Sequence, residues 1–276
     1  MRRTRIFRAI NIISLLVLLM AVLLPLFWNI MMSFDEDVLT SMPLPPRLWP
    51  KTPSFRNFKY AFEVVPMARY FMNTFFITIV NTAINVFFAL TCGYAFAKGK
   101  FFLKNFWFIY MLAVMMIPFE SIMMPLFLQY RNWGLLGTYW PLILGSFAYA
   151  FGTFLARQNI AALPDSLREA TYIDGASEWR TFFSIIVPLS GPVIATLCIL
   201  QVIAQWNSFL WPLVTISKNE MYVITVGVAM FNAQRGVMLL GPRMAVATLS
   251  ALPLMIMFLF LQKYIVASVA LSGIKQ

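Results

Sequence analysis

Residues 161–192 read AALPDSLREATYIDGASEWRTFFSIIVPLSGP. The stretch gathers four acids (Asp165, Glu169, Asp174 and Glu178) and two bases (Arg168 and Arg180) between two long apolar runs. Ser166 followed by Glu169 fits the S-x-x-E capping box, which predicts a helix start. Gly175 interrupts that helix, because a turn between helices often needs a positive φ that a side-chain-bearing residue adopts at a cost. A second helix is expected from Ser177, with Glu178 in its first turn, where the helix dipole favours an anion. Asp174 is expected to cap this second helix or to hold the turn. Trp179, Phe182, Phe183 and Ile186 follow at i, i+3, i+4 and i+7, which predicts one apolar stripe. Pro188 and Pro192 end the segment, since neither donates a backbone hydrogen bond. The expectation is a helix–glycine turn–helix with a wet face and an apolar face, set between two membrane spans.

The flanking chain supports that setting. Of its 276 residues, 61% are apolar, 16% aromatic and 11% charged, the composition of a membrane protein. An all-α bundle of six transmembrane helices is predicted, over 9–32, 70–97, 105–130, 138–156, 191–217 and 244–262. A span needs roughly 20 residues. The first run follows Arg2, Arg3, Arg5 and Arg8. It is too long for a signal peptide and lacks a small-residue cleavage site, so a retained span is expected. The proline-rich segment 33–69 and the segment 218–243 are expected as external loops, the former with short helices. Within the latter, Met221–Gln234 is uncharged but too short to cross, and is expected to fold back into the mouth of a pathway.

Six spans place both termini on one side. Twelve of the 21 basic residues then fall on that side, which the positive-inside rule assigns to the cytoplasm. The net charge of +11 is spread over short loops, which argues against nucleic acid as a partner. There is no histidine, and the two cysteines, Cys92 and Cys198, lie inside apolar runs. No metal-ligand spacing, Walker A sequence, nucleophile elbow or histidine acid–base pair occurs, so the chain itself is not expected to be an ATPase or another enzyme.

E-A-T-x-x-D-G-A at 169–176, then I-x-V-P-L at 185–189 and a second proline at 192, resembles the cytoplasmic EAA loop of binding-protein-dependent ABC importer permeases. A-A-L-P at 161–164 and Q-W-N-S-F-L-W-P-L at 205–213 resemble the carbohydrate-uptake, maltose-permease-like branch, and S-F-R-N-F-K-Y at 54–60 matches its first external loop. Thr171 departs from the pattern, where the family usually has a second alanine. The resemblance implies a type I importer domain in the bacterial cytoplasmic membrane, translocating a sugar or sugar-like solute. It implies a second permease chain as heterodimer partner, two ATP-binding subunits and an extracytoplasmic solute-binding protein. This chain would hold no cofactor; ATP and Mg would be bound by the partner subunits. The loop 161–192 would couple to the ATPase through Ser166, Glu169, Ala170, Asp174, Gly175, Ala176, Pro188 and Pro192.

Four further residues are candidates for the solute pathway. Glu120 is the one acid inside an apolar run, and an ionisable group there is a functional candidate by default. Gln205, Trp206 and Asn207 lie midway along the fifth span; a ring face and amides suit a sugar, and helix–helix packing explains them equally well. The tail around Gly273 and Lys275 resembles a family ending that reaches the ATPase interface. A self-sufficient channel or secondary transporter is the competing reading. It predicts paired intramembrane charges or internal repeats, and neither is evident.

Overall fold

The structure, a computed structural model, describes residues 2–38, 44–147, 149–233 and 239–273, with only the backbone at 2–6, 9, 146, 232–233 and 260–273. The helices in order are α1 (Arg2–Ser33), α2 (Arg56–Val64), α3 (Met67–Lys98), α4 (Lys104–Val114), α5 (Phe119–Asn132), α6 (Trp140–Leu144) and α7 (Ala150–Ala161). They continue with α8 (Asp165–Ile173), α9 (Glu178–Thr181), a π-helical turn (Phe182–Ile186), α10 (Val187–Leu189), α11 (Gly191–Trp206), α12 (Leu210–Thr215), α13 (Ile224–Ala233) and α14 (Leu240–Gly273). An isolated bridge between Asp35 and Pro53 is the extended pairing among the described residues. The chain forms two compact units, 1–68 with 227–253, and 69–226 with 254–276.

In the first unit, α1 carries a continuous apolar surface from Ile10 to Leu24 that faces outward, as a helix solvated by lipid does. The polar segment after it is organised by Asp35, which is fully buried. Its carboxylate accepts from Arg47 Nη2 at 2.6 Å, Arg47 Nε at 3.0 Å, Thr52 Oγ1 at 3.1 Å, and the backbone amides of Asp37 and Lys51 at 3.2 Å. Burial opposes the charge, but these donors together hold the Asp35 carboxyl below its ordinary value. Asn57 of α2 donates to the carbonyls of Ser33 and Asp35 and ties the short helix to the end of α1.

In the second unit, α3 is the long element. Val86, Ala89 and Leu90 of α3 share a core with Ala156, Ile160, Phe182, Ile186 and Leu197. Gly93 permits the closest approach to α7: a Cβ there would lie 2.6 Å from Ala156 Cβ. Small residues admit such backbone contact between membrane helices.

Among the described residues three helices (α1, α3 and α14) are long and apolar enough to cross a membrane unbroken, and the third, fourth and fifth predicted spans are interrupted. The third bends by 94° between α4 and α5. Its last amides before Pro118 turn to i−3 carbonyls, and Pro118 has no N–H to continue the ladder. Where the sequence predicts one run over 138–156, the chain is divided into α6, a 3-10 turn over Gly145–Phe147, and α7, which extends to Ala161. The fifth breaks at Asn207–Phe209, between α11 and α12. Part of the expected external loop 218–243 is helical instead: Ile224 and Val226 of α13 are fully buried, while 234–238 lie outside the described residues.

Candidate coupling site

Around Gly175 the local chemistry is as the sequence demands. Its φ is +70°, the amide of Gly175 donates to Tyr172 O at 3.0 Å, and that of Ala176 donates to Thr171 O at 2.9 Å. This pair is a Schellman closure of α8. Ser177 caps α9, its hydroxyl accepting from the Arg180 amide at 3.4 Å. After the π turn, α10 and α11 meet at Ser190, and the Glu178–Leu189 segment stands 79° from α11. Pro188 and Pro192 flank that bend.

Three local expectations are corrected. The capping box does not form: Pro164 occupies the cap with ψ 135°, so α8 starts at Asp165 and Ser166 lies inside its first turn. Asp174 does not cap α9, which Ser177 does; it is the C-cap residue of α8, its backbone amide donating to Ala170 O at the turn. The apolar stripe divides, because the π turn changes the helical period. Phe182 and Ile186 enter the core, whereas Trp179 and Phe183 stack on each other with ring centroids 6.1 Å apart and remain exposed.

The two helices of the elbow are joined by charge. Glu178 Oε1 accepts from Arg168 Nη2 at 2.8 Å and from the Tyr172 hydroxyl, and Oε2 accepts from the Tyr94 hydroxyl of α3 at 2.6 Å. Burial alone would raise the Glu178 pKa; the two tyrosine hydroxyls and the Arg168 guanidinium outweigh it and bring the value down to about 2. Thr171, the departure from the family pattern, donates to Arg168 O at 2.7 Å and lies 2.8 Å from the fully buried Thr181 hydroxyl of α9.

The elbow is also fastened to the end of α3. The last carbonyls of a helix have no intrahelical donor. Here cationic side chains supply them: Arg157 Nε to Phe96 O at 3.3 Å, Lys104 Nζ to Ala97 O at 3.1 Å and Gly99 O at 2.9 Å, and Arg168 Nη1 to Lys98 O at 3.0 Å. Cations at this terminus also oppose the negative end of the helix dipole. Lys98 in turn donates to Leu163 O at 2.6 Å and Asp165 at 2.7 Å, just before and inside the first turn of α8, and holds the Asp165 carboxyl below its usual range. A cavity of about 270 Å³ lies between α3 and the elbow, lined by Tyr94, Arg168, Glu178 and Trp179 among others.

Ser166, Glu169, Ala170, Asp174, Gly175, Pro188 and Pro192 are exposed and Ala176 is half-buried. Glu169 makes no ion pair among the described residues, so one face of α8 is free while the other holds Arg168 and Thr171. The pathway candidates separate. Gln205 accepts from Asn81 Nδ2 at 3.0 Å, and Trp206 is buried with its ring 6.5 Å from that of Phe71, so both pack inward. Asn207 is exposed at the end of α11, its amide donating to Ile203 O at 2.9 Å. Glu120 is exposed in the first turn of α5, just past the bend. Gly273 is the last described residue, and Lys275 lies outside the description. Among the described residues no group of three or more His, Cys, Asp or Glu side chains is placed to hold a metal ion.

The family model described as "Binding-protein-dependent transport system inner membrane component" matches residues 85–271. The chain belongs to this family. It is thus a permease component of an ABC importer rather than an enzyme, and the matched region holds the elbow, the cationic cap of α3 and the fifth segment. The permease is 36% identical to an arabinooligosaccharides transport system permease protein, AraQ, of Halalkalibacterium halodurans over 231 residues, covering 82% of this chain and 81% of that one. Its fold is that of a bacterial ABC transporter involved in the import of the acidic polysaccharide alginate, with a TM-score of 0.83 at 23% identity over 96% of this chain and 98% of that one. A bacterial alginate ABC transporter in complex with an alginate pentasaccharide-bound periplasmic protein also resembles it, with a TM-score of 0.63 at 15% identity over 95% and 93% of the two chains.

Proposed function

We propose that the chain is one of two permease subunits of an ATP-driven importer that takes an oligosaccharide or a related sugar-like solute into the bacterial cytoplasm. Both termini and the elbow face the cytoplasm, in keeping with the excess of bases on that side. Two ATP-binding subunits, which bind ATP and Mg, grip the exposed face of α8 through Ser166, Glu169 and Ala170. A second, similar permease completes the pathway in the bilayer, and an extracytoplasmic binding protein delivers the solute. ATP acts by favouring one permease state through differential contacts at the elbow. Glu120 and Asn207, exposed beside the breaks of the third and fifth spans, are the candidates left to meet solute, while Gln205 and Trp206 shape the wall behind. The tail around Gly273 and Lys275 is a further candidate for the ATPase interface.

The observation that carries this reading is the asymmetry of α8. Its inner face is fastened by Arg168, Asp165 and Thr171, while Glu169 projects uncompensated from the outer one. Co-purification with an ATPase subunit, followed by ATP-dependent uptake of labelled oligosaccharide into vesicles, tests it. Glu169→Lys is expected to insert normally but to lose the ATPase subunit and uptake; undiminished binding by that variant would overturn the docking assignment.

A further inference from the structure

The contacts of α3 extend well beyond the elbow. From Arg69 to Lys98 this helix is about 45 Å long at 1.5 Å per residue, enough to cross a bilayer core. One face carries Asn73, Thr74, Thr78, Asn81, Thr82 and Asn85, all buried. The spacing keeps them on a single side, so a polar seam runs along an otherwise apolar span. At the end remote from the elbow, Asn73 Nδ2 donates to Glu220 O at 2.8 Å and Tyr222 O at 3.0 Å, Thr74 Oγ1 accepts from the Ile224 amide at 2.7 Å, and the Tyr70 hydroxyl bonds Asn219. In the middle, Asn81 Nδ2 donates both to Leu142 O, beside the interruption of the fourth segment, and to Gln205 Oε1, beside that of the fifth. At the elbow end stand Tyr94–Glu178, Lys98–Asp165 and the carbonyls held by Arg168, Lys104 and Arg157.

Polar contacts between membrane helices are individually modest. Their arrangement is the informative part. An unbroken helix is gripped at three levels, and each grip lands beside an interruption between helices: the glycine elbow between α8 and α9, the ends of α6 and α11, and the segment 219–224 that leads into α13. Such points are where a packed bundle changes shape, and a rod joining them makes their movements dependent on one another.

We infer that α3 is a connecting rod that carries the movement of the elbow to the segment 219–224, with Tyr94 and Lys98 as its input contacts and Asn73 and Thr74 as its output. The inference rests on the importer reading, which puts the two ends of α3 on opposite sides of the membrane. Asn81 is a positioning residue within it, holding two broken spans to the rod.

The test uses the complete transporter in lipid nanodiscs, in a Cys92→Ala, Cys198→Ala background that retains uptake. Glu220→Cys, an exposed position whose carbonyl Asn73 holds, carries an environment-sensitive fluorophore. The signal is read before and after trapping with Mg-ATP and vanadate. The nucleotide-dependent change is expected to fall at least five-fold in Tyr94→Phe and in Asn73→Leu. It is expected to persist in Asn85→Ala, whose amide donates to Asn81 O within its own helix. Where Asn73→Leu fails to assemble, the isosteric Thr74→Val replaces it, with Thr74→Ser restoring the response. A full response in Tyr94→Phe, or an equal loss in Asn85→Ala, overturns the rod. Uptake by the parent complex with no signal change at residue 220 also overturns it, whereas absence of uptake altogether overturns the importer reading beneath it.

Discussion

Arg168 and Glu178 stand ten residues apart, one on each side of the Gly175 turn, and meet at 2.8 Å. The same guanidinium reaches the Lys98 carbonyl at the end of α3. A single side chain therefore joins three elements: the helix that faces outward, the helix that leads into the fifth span, and the longest helix of the second unit. Removing the charge from either partner tests different parts of that junction.

Acid is expected to loosen the elbow in a defined window. The Glu178 carboxyl is lowered from 4.5 to about 2, so its contribution to stability is complete above its unfolded value and disappears as pH falls from about 4.5 toward 2. The carboxylate is about half exposed, so the contribution is on the order of 1 kcal/mol or less after screening. Thermal unfolding of the purified permease at pH 6, 4 and 3 should show a steeper loss for the parent chain than for Glu178→Gln. Parallel curves would remove Glu178 from the junction.

Gly175 gives a prediction based on the backbone alone. A Cβ built there meets nothing within 4 Å, so no clash opposes a substitution; φ at +70° does. The left-handed region costs an ordinary L-residue about 1–2 kcal/mol, and asparagine less. Gly175→Asn should retain most uptake, and Gly175→Val should lose it while still inserting in the membrane. Equal uptake by the two would mean that the turn does not have to hold its angle.

These two cases also mark what the sequence could disclose. The glycine turn and the start of the second helix near Ser177 depend on residues within a few positions of each other, so local chemistry was enough to place them, although the cap fell to Ser177 and not to Asp174. The Ser166–Glu169 box obeyed the same local rule but lost the cap to Pro164, two residues earlier in the chain. The stripe from Trp179 to Ile186 presumed 3.6 residues per turn, and a π turn there sends Trp179 and Phe183 outward. Lys98 and Lys104 were legible only as charges that set orientation. Their bonds to the carbonyls around them, and those of Arg157 and Arg168, depend on which helix ends meet in three dimensions. Bases just beyond the last turn of a long apolar helix are the one local hint of such a cap.

The buried carboxylate of Asp35 predicts a large asymmetry between its own substitution and that of its partner. Arg47→Met leaves a charge in a fully buried position, and breaking such a pair from one side costs about 3–5 kcal/mol. Asp35→Asn keeps the shape and part of the hydrogen bonding and should cost less. Thermal unfolding of the two variants in detergent checks the order; a milder effect for Arg47→Met would mean that the backbone amides of Asp37 and Lys51 suffice to hold the anion.

Thr171 offers the sharpest case, because the sequence and the structure predict opposite outcomes. The family pattern has alanine at this position, so Thr171→Ala reads as a harmless return to type. In the structure the Thr171 hydroxyl gives its proton to Arg168 O, which makes Thr181 the donor in the 2.8 Å contact between the two threonines. Thr181 is fully buried, so the single substitution strands its hydroxyl, at a cost of about 1–3 kcal/mol. Removing both hydroxyls removes the stranded group as well. Thr171→Ala should therefore lower the melting temperature, and Thr171→Ala with Thr181→Val should recover most of the loss. Additive losses in the double variant would show that the two helices of the elbow are held together without this bond.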